Sequence, residues 1–421
     1  MTPTARPERT HIPELQLVRA LAILGVLTVH ASAMATITMK ESAYYYFYNL
    51  INTVMRFGTP TFILLSSFVL FYSYSSRPLN GKLLAGFYKK RLLYILIPYV
   101  VFSAVYFAYV RELSNLPLLS PDSIGEFLRK LMMGEAYSHL YFVFISIQFY
   151  LLFPVVLWAA KRWSRLVLWF VPLGFALQWA FVLLNLNYWQ LPNKGSWAPT
   201  YFSLFFLGAT LGIYYPKIKG WLAMTRDNLN AGRASLWLLV WGAWLVASAA
   251  HVTVWYNARL HGTIYPAELY EFLWNAQAVL AALVLLHAAF FIQRHLPKRF
   301  SAMLNRLGQL SFGIYLVHLL YQALFEKMVP APTSAGALHL YYLVGWVIML
   351  LASWLTVSLV SRFLPFSWIL FGKVSAARTH NRTEATATGT AGKIGGVATG
   401  VGSAGGKIPQ PGQQAFSEHK A

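Results

Sequence analysis

The sequence predicts an all-α integral membrane protein of about ten transmembrane helices with both termini in the cytoplasm. Three observations carry this reading. Of 421 residues, 57% are hydrophobic and only 11% charged, against roughly 25% charged in a soluble globular domain. The apolar residues gather into runs long enough to cross a bilayer, about 20 residues each. The net charge of +21 would suggest nucleic acid on a soluble protein, but here it is segregated between alternate connections. It therefore reports topology, and the expected partner is the lipid bilayer, not nucleic acid.

The apolar runs lie at 17–38, 49–73, 92–110, 139–159, 166–187, 200–215, 235–256, 273–293, 309–328 and 339–364. Connections after the second, fourth, sixth and eighth runs hold 16 Lys and Arg, among them Lys89, Lys90, Arg91, Lys161, Lys217 and Arg294. The odd connections hold 7: Lys40, Arg111, Arg129, Lys130, Lys194, Arg259 and Lys327. The positive-inside rule then puts the even connections and both termini in the cytoplasm, as expected for a multi-pass protein of the cytoplasmic membrane. The chain has no Cys, which excludes disulfides, thiolate metal ligands and a thiol nucleophile. No metal site is expected. The 15 Trp and 25 Tyr suit interfacial belts and require no cofactor.

Residues 1–12 form a short N-terminal segment, 13–370 the membrane domain, and 375–421 a tail rich in Gly, Ala, Thr and Ser. A tail of that composition buries no core and is expected to be disordered. The first run, LVRALAILGVLTVHASAMA from Leu17, has two readings: a cleaved signal peptide with an A-x-A site, or a retained span. Arg19 at its start and His30 within it favour the span. Eleven residues separate the two, almost three turns, so they share one stripe about 16 Å apart along the axis. Ala22, Gly25 and Val26 complete that stripe and admit a second helix or a thin ligand. Arg19 alone reads equally as a snorkelling anchor, whereas an ionisable group as deep as His30 marks a site or pathway.

Three further polar features stand out. Arg56 enters the second run about 10 Å from the outer boundary, close to the depth of His30 at about 12 Å, and His139 opens the fourth run at the outer edge. Arg56 suits either stabilisation of a developing oxyanion or a pair with an outer acid such as Glu135. Ser311, Tyr315 and His318 recur at i, i+4, i+7, a stripe expected to hydrogen-bond a neighbouring helix. His251 and His287 are expected to be packing residues.

These residues resemble the acyltransferase 3 family of membrane O-acyltransferases, whose first span carries Arg, ten residues, then His, here Arg19 and His30. Four further stretches are similar: RFGTPTFILLSSFVL, FYKKRLLYILIPY, HLYFVFISIQFYLLFPV and LGQLSFGIYLVH, in the family's order. Two departures stand out. Ser66, Ser67 and Phe68 replace the family's Ser-Gly-Phe, and the family's paired arginines before the third span appear as Arg91 and Tyr94, with Lys89 and Lys90 available to supply the missing charge.

The resemblance implies transfer of an acyl group, most often acetyl, from cytoplasmic acyl-coenzyme A to a hydroxyl of an extracytoplasmic glycan or related acceptor. Acyl-coenzyme A is then a co-substrate, and no bound cofactor is expected. His30 takes the family's catalytic position, and an imidazole removing the hydroxyl proton contributes about 10²–10⁴ in rate. Arg56 and His139 are the other candidates for chemistry, and Arg19, Arg91 and Tyr94 for donor binding. Arg suits the coenzyme phosphates through its bidentate fork, although positive-inside charge explains Arg91 equally well. A polysaccharide or small-molecule exporter is the competing reading. It requires a continuous polar path, whereas acyl transfer requires one polar pocket centred on His30 with a cytoplasmic entrance.

Overall fold

The computed structural model describes residues 12–225 and 230–373, and within them every regular element is a helix. The segment 375–421 and residues 1–11 lie outside the described residues. In chain order the helices are α1 (Glu14–Ala33), α2 (Ala35–Thr38), α3 (Tyr45–Val54), α4 (Gly58–Tyr74), α5 (Gly81–Arg91), α6 (Ile97–Leu113), α7 (Pro121–Met133) and α8 (Tyr141–Arg162). They continue as α9 (Phe170–Leu184), α10 (Phe202–Leu222), α11 (Ala231–His261), α12 (Ala267–His295), α13 (Lys298–Met328), α14 (Ala335–Phe363) and α15 (Ser367–Phe371). Among the described residues, nine helical segments are long and apolar enough to span a membrane, so this is a multi-pass membrane protein. The expected span at 200–215 folds as α10, but Pro216, Lys217 and Lys219 dilute its apolar character and it is not among those nine.

Irregular turns fall within or at the ends of three runs that read as regular helix. A 3-10 turn at Met55–Phe57 separates α3 from α4, one wide π-type turn at Leu92–Leu96 joins α5 to α6, and a second at Asn185–Trp189 ends α9. Such irregular turns are common at functional sites. The connection 111–138 also gains a helix, α7, capped by Ser120 through the Ser123 amide at 3.1 Å and held by Arg111–Glu126 and Lys130–Glu126 ion pairs at 2.6 and 2.8 Å.

The first helix runs through the middle of the bundle. Leu17, Val18, Ala20, Ala22, Ile23 and Leu27 are fully buried, and α1 packs against α3, α4, α12, α13 and α14. By contrast α14 presents Leu340, Leu343, Leu351, Leu355 and Leu359 outward, as lipid contact requires. The small-residue stripe of α1 receives another segment of chain: a Cβ on Gly25 would lie 2.9 Å from the Phe57 ring and 3.1 Å from the Met55 carbonyl, and one on Gly58 would lie 2.6 Å from Val26 Cγ2. This crossing sets the 55–58 turn directly against α1 and determines where Arg56 stands.

The Ser67 departure has a local solution. Its hydroxyl donates to the Phe205 carbonyl at 2.5 Å, and opposite it α10 carries Gly208, where an added Cβ would meet Ser67 Cβ at 2.9 Å and the Leu64 carbonyl at 2.4 Å.

A Gly58→Leu substitution is expected to lose about 1–3 kcal/mol by overpacking the α1 crossing, read as a lowered thermal midpoint in detergent. Gly242→Ala, in open space on α11, should hold or raise the midpoint.

Candidate functional site

Two cavities open toward opposite ends of α1. The first, about 700 Å³, is lined by Arg19, Lys89, Lys90, Arg91 and Lys373, together with Tyr94, and among the described residues no carboxylate belongs to its wall. Arg91 stacks its guanidinium over Tyr150 at 4.8 Å and Phe87 at 5.3 Å, and its buried Nε has no hydrogen-bond partner. Arg19 reaches only Gln16 Oε1, at 3.4 Å. Five cations without a counter-charge in one wall repel each other, at about 4 kcal/mol for a pair 4 Å apart near a surface, so the arrangement favours a polyanionic ligand such as a phosphate-bearing one. Ser66, Ser146, Ser311 and Tyr315 continue the same wall inward. The structure therefore gathers Arg19, Arg91 and Tyr94 in one cavity, together with Lys89 and Lys90, and adds Lys373, which no motif marked.

The second cavity, about 500 Å³, is lined by His30, Arg56, Tyr141, Tyr201, His251, Trp255, Lys194 and Glu271, among others. The two cavities have no lining residue in common. Within the second, Lys194 and Glu271 pair at 2.5 Å. Arg56 does not pair with Glu135, which binds Arg129 at 3.0 Å and Asn193 at 2.7 Å. Its Nη2 instead donates to Asn52 Oδ1 at 3.3 Å, and the guanidinium lies 4.7 Å from the centre of the Trp255 ring.

Behind His30 stand two more histidines. The His30 and His318 rings are 5.2 Å apart, as are those of His318 and His139. His318 Nδ1 contacts the Tyr315 carbonyl at 2.7 Å. A carbonyl only accepts, so Nδ1 carries the proton and the buried Nε2, which has no partner, presents a lone pair. His139 is 1% exposed and neither ring nitrogen is bonded; its backbone carbonyl accepts from the Tyr315 hydroxyl. His139, a candidate site residue at the outer edge by sequence, lines neither cavity and sits one ring behind His318. The polar stripe on α13 makes the helix-to-helix contact its spacing predicts, through the Tyr315 hydroxyl, and in doing so also brings His318 to His30.

His251 shows what a satisfied histidine looks like in the same cavity. Gln277 Nε2 donates to the carbonyls of Thr53 and Val54 at 3.3 and 3.0 Å, which turns its Oε1 to accept from His251 Nδ1. His251 Nε2 in turn accepts from Trp255 Nε1 at 2.9 Å. Both nitrogens are occupied, in keeping with a packing role, whereas the His30 ring makes no hydrogen bond among the described residues. His287 is likewise stacked on Trp237 at 4.0 Å and accepts from Trp241 Nε1 at 3.1 Å. Among the described residues no cluster of three or more His, Asp or Glu is arranged to hold a metal ion.

His251→Ala should leave Gln277 Oε1 and Trp255 Nε1 without partners and cost about 0.6–2 kcal/mol of stability. His30→Ala removes no such bond. Thermal unfolding of the two purified variants should therefore show the lower midpoint for His251→Ala.

Comparison with known proteins places this geometry in context. The family model described as the acyltransferase domain, acyltransferase 3, matches residues 12–358. The chain is similar to a protein of Staphylococcus aureus (strain MSSA476) named "Probable poly-beta-1,6-N-acetyl-D-glucosamine export protein", 26% identical over 227 residues, covering 49% of this chain and 59% of that relative. It is also similar to a protein of Bacillus subtilis (strain 168) named as a membrane-bound acyltransferase, 24% identical over 321 residues, covering 73% of this chain and 80% of that relative. No solved structure is significantly similar to the chain.

Proposed function

The chain belongs to the acyltransferase 3 family, and on that premise we propose that it moves an acyl group, acetyl being the expected one, from cytoplasmic acyl-coenzyme A to a hydroxyl of an extracytoplasmic glycan or related acceptor. The observation that carries this reading is the pairing of a carboxylate-free basic cavity at the Arg19 end of α1 with a polar cavity at its His30 end. Arg19, Arg91, Lys89, Lys90 and Lys373 bind the donor phosphates, and Tyr94 completes that wall where the family has a second arginine. The serine-lined inner wall leads the thioester toward Tyr315 and the histidines.

In the transfer step, His30 takes the proton from the acceptor hydroxyl as its oxygen attacks the thioester carbonyl carbon. The carbon–sulfur bond breaks, and the leaving coenzyme thiolate takes up the proton that His30 removed, which returns His30 to its neutral form. Neutral His318, with its proton fixed on Nδ1, adds no positive charge beside His30, so the base is free to accept a proton. His139 backs His318. Arg56 lies on the acceptor side.

Export is the second reading, supported by the printed name of the staphylococcal relative. Both readings have to join the two cavities, whose linings are separate: export needs a passage wide enough for the whole sugar, transfer only one wide enough for the thioester arm.

His30→Ala should insert at normal abundance, retain acetyl-coenzyme A binding and lose acyl transfer by about 10²–10⁴; equal activity of His30→Ala and His251→Ala in a purified assay would sink the catalytic role. Arg19→Gln and Arg91→Gln should each weaken donor binding in a direct titration, with the larger loss at Arg19, because Lys89 and Lys90 stand beside Arg91. Topology is checked separately. A reporter active only outside the cytoplasm should work when fused near Asp122 and fail near Arg226, and the inverse pattern would put the basic cavity on the wrong side for coenzyme A.

A further inference from the structure

We propose that Arg56 and Arg259, stacked on Trp255, form a recognition site for an anionic group on the acceptor, so that the acceptor is a sugar bearing a carboxylate or a phosphate. The inference rests on the acyl-transfer reading only in calling this ligand the acceptor. Arg259 Nη2 donates to Asn52 Oδ1 at 3.1 Å and its Nη1 to Asn49 Oδ1 at 3.0 Å. Arg56 Nη2 donates to the same Asn52 oxygen at 3.3 Å. Each guanidinium lies 4.7 Å from the centre of the Trp255 ring. Two cations thus converge on one neutral amide oxygen and one indole.

No ion pair among the described residues includes Arg56 or Arg259. Glu271, which lines the cavity with Arg56, is already taken by Lys194. Amide oxygens and an indole face offset part of the cost of holding two guanidinium groups together, but neither neutralises a charge. Both arginines are half-buried; charges withdrawn from water are ordinarily paired, and the ligand that completes this pair is an anion held by bidentate forks. Tyr45, within electrostatic reach of Arg259, adds a buried hydroxyl with no partner. The site adjoins the cavity of His30 and lies away from the basic donor cavity, which assigns the anion to the acceptor and not to the coenzyme.

The test is calorimetric titration of the purified full chain in detergent with glucuronate, glucose 6-phosphate, glucose and inorganic phosphate. Either sugar anion should bind at least about 10-fold more tightly than glucose and than inorganic phosphate, as expected for a charge-assisted bond worth about 1.4 kcal/mol or more. Binding should weaken as salt rises, perturb tryptophan fluorescence in a manner lost in Trp255→Phe, fall about 10-fold in Arg259→Gln and be largely kept in Arg259→Lys. Equal affinity for glucose and glucuronate in the unmodified chain would overturn the proposal without recourse to any variant. So would inorganic phosphate binding as tightly as the sugar anions, or an Arg259→Gln protein of normal thermal midpoint with unchanged affinity. Selective binding of glucuronate with no acyl transfer to it from acetyl-coenzyme A would uphold the anion site and count against the transfer reading. Transfer to neutral sugars with no selectivity for anions would do the reverse.

Discussion

The constraint on which the rest of the site depends is the contact of α1 with the turn at residues 55–58. Gly25 and Gly58 remove the two side chains that would hold the segments apart, and the backbone of one comes to rest on the other. A turn displaced by even one methyl layer would carry Arg56 away from the cavity of His30. Because α1 also carries Arg19 at its other end, one buried helix sets the spacing between the basic cavity and the polar one. Its burial on several sides makes it a rigid ruler, and rigid elements position reacting groups better than loops do.

The two cavities differ in how they treat charge. The basic one leaves five cations without acids in its wall, which suits a ligand carrying several negative charges. The other mixes a closed ion pair, two arginines on an indole, and histidines of contrasting state. His251 has spent both nitrogens on fixed partners, so it holds structure. His30 has not, and His318 keeps one lone pair unbonded in the interior. Buried polar atoms without partners cost free energy, and three of them, His318 Nε2 and both ring nitrogens of His139, lie in the histidine cluster behind His30.

Much of this was legible in the sequence, and the reasons are physical. Apolar runs of bilayer length need no tertiary context to be recognised, nor does the spacing of Arg19 and His30, because both are local. Arg91, Tyr94 and the adjacent lysines fell into one cavity since a single basic connection places them together. What the sequence hid are encounters between distant segments. His318 and Arg259 meet His139 and Asn52 only after the bundle assembles. The break at 55–57 was invisible because apolar periodicity runs across it, and what marks it, the tight approach of Gly58 to α1, is a contact between distant segments. The π-type turns escaped for the same reason, since one extra residue per turn leaves hydropathy unchanged.

Gly208 on α10 shows which of two facing positions bears the constraint. Where the resemblance calls for a glycine in α4, this chain has Ser67, whose hydroxyl donates to the Phe205 carbonyl of α10. A Cβ at 208 would lie 2.4 Å from the Leu64 carbonyl and 2.9 Å from Ser67 Cβ. The nearer obstacle is main chain, so the glycine on α10 is required whatever residue stands at 67. Here α4 and α10 meet backbone to backbone, and a motif written on α4 alone leaves the stricter side of the gap unread.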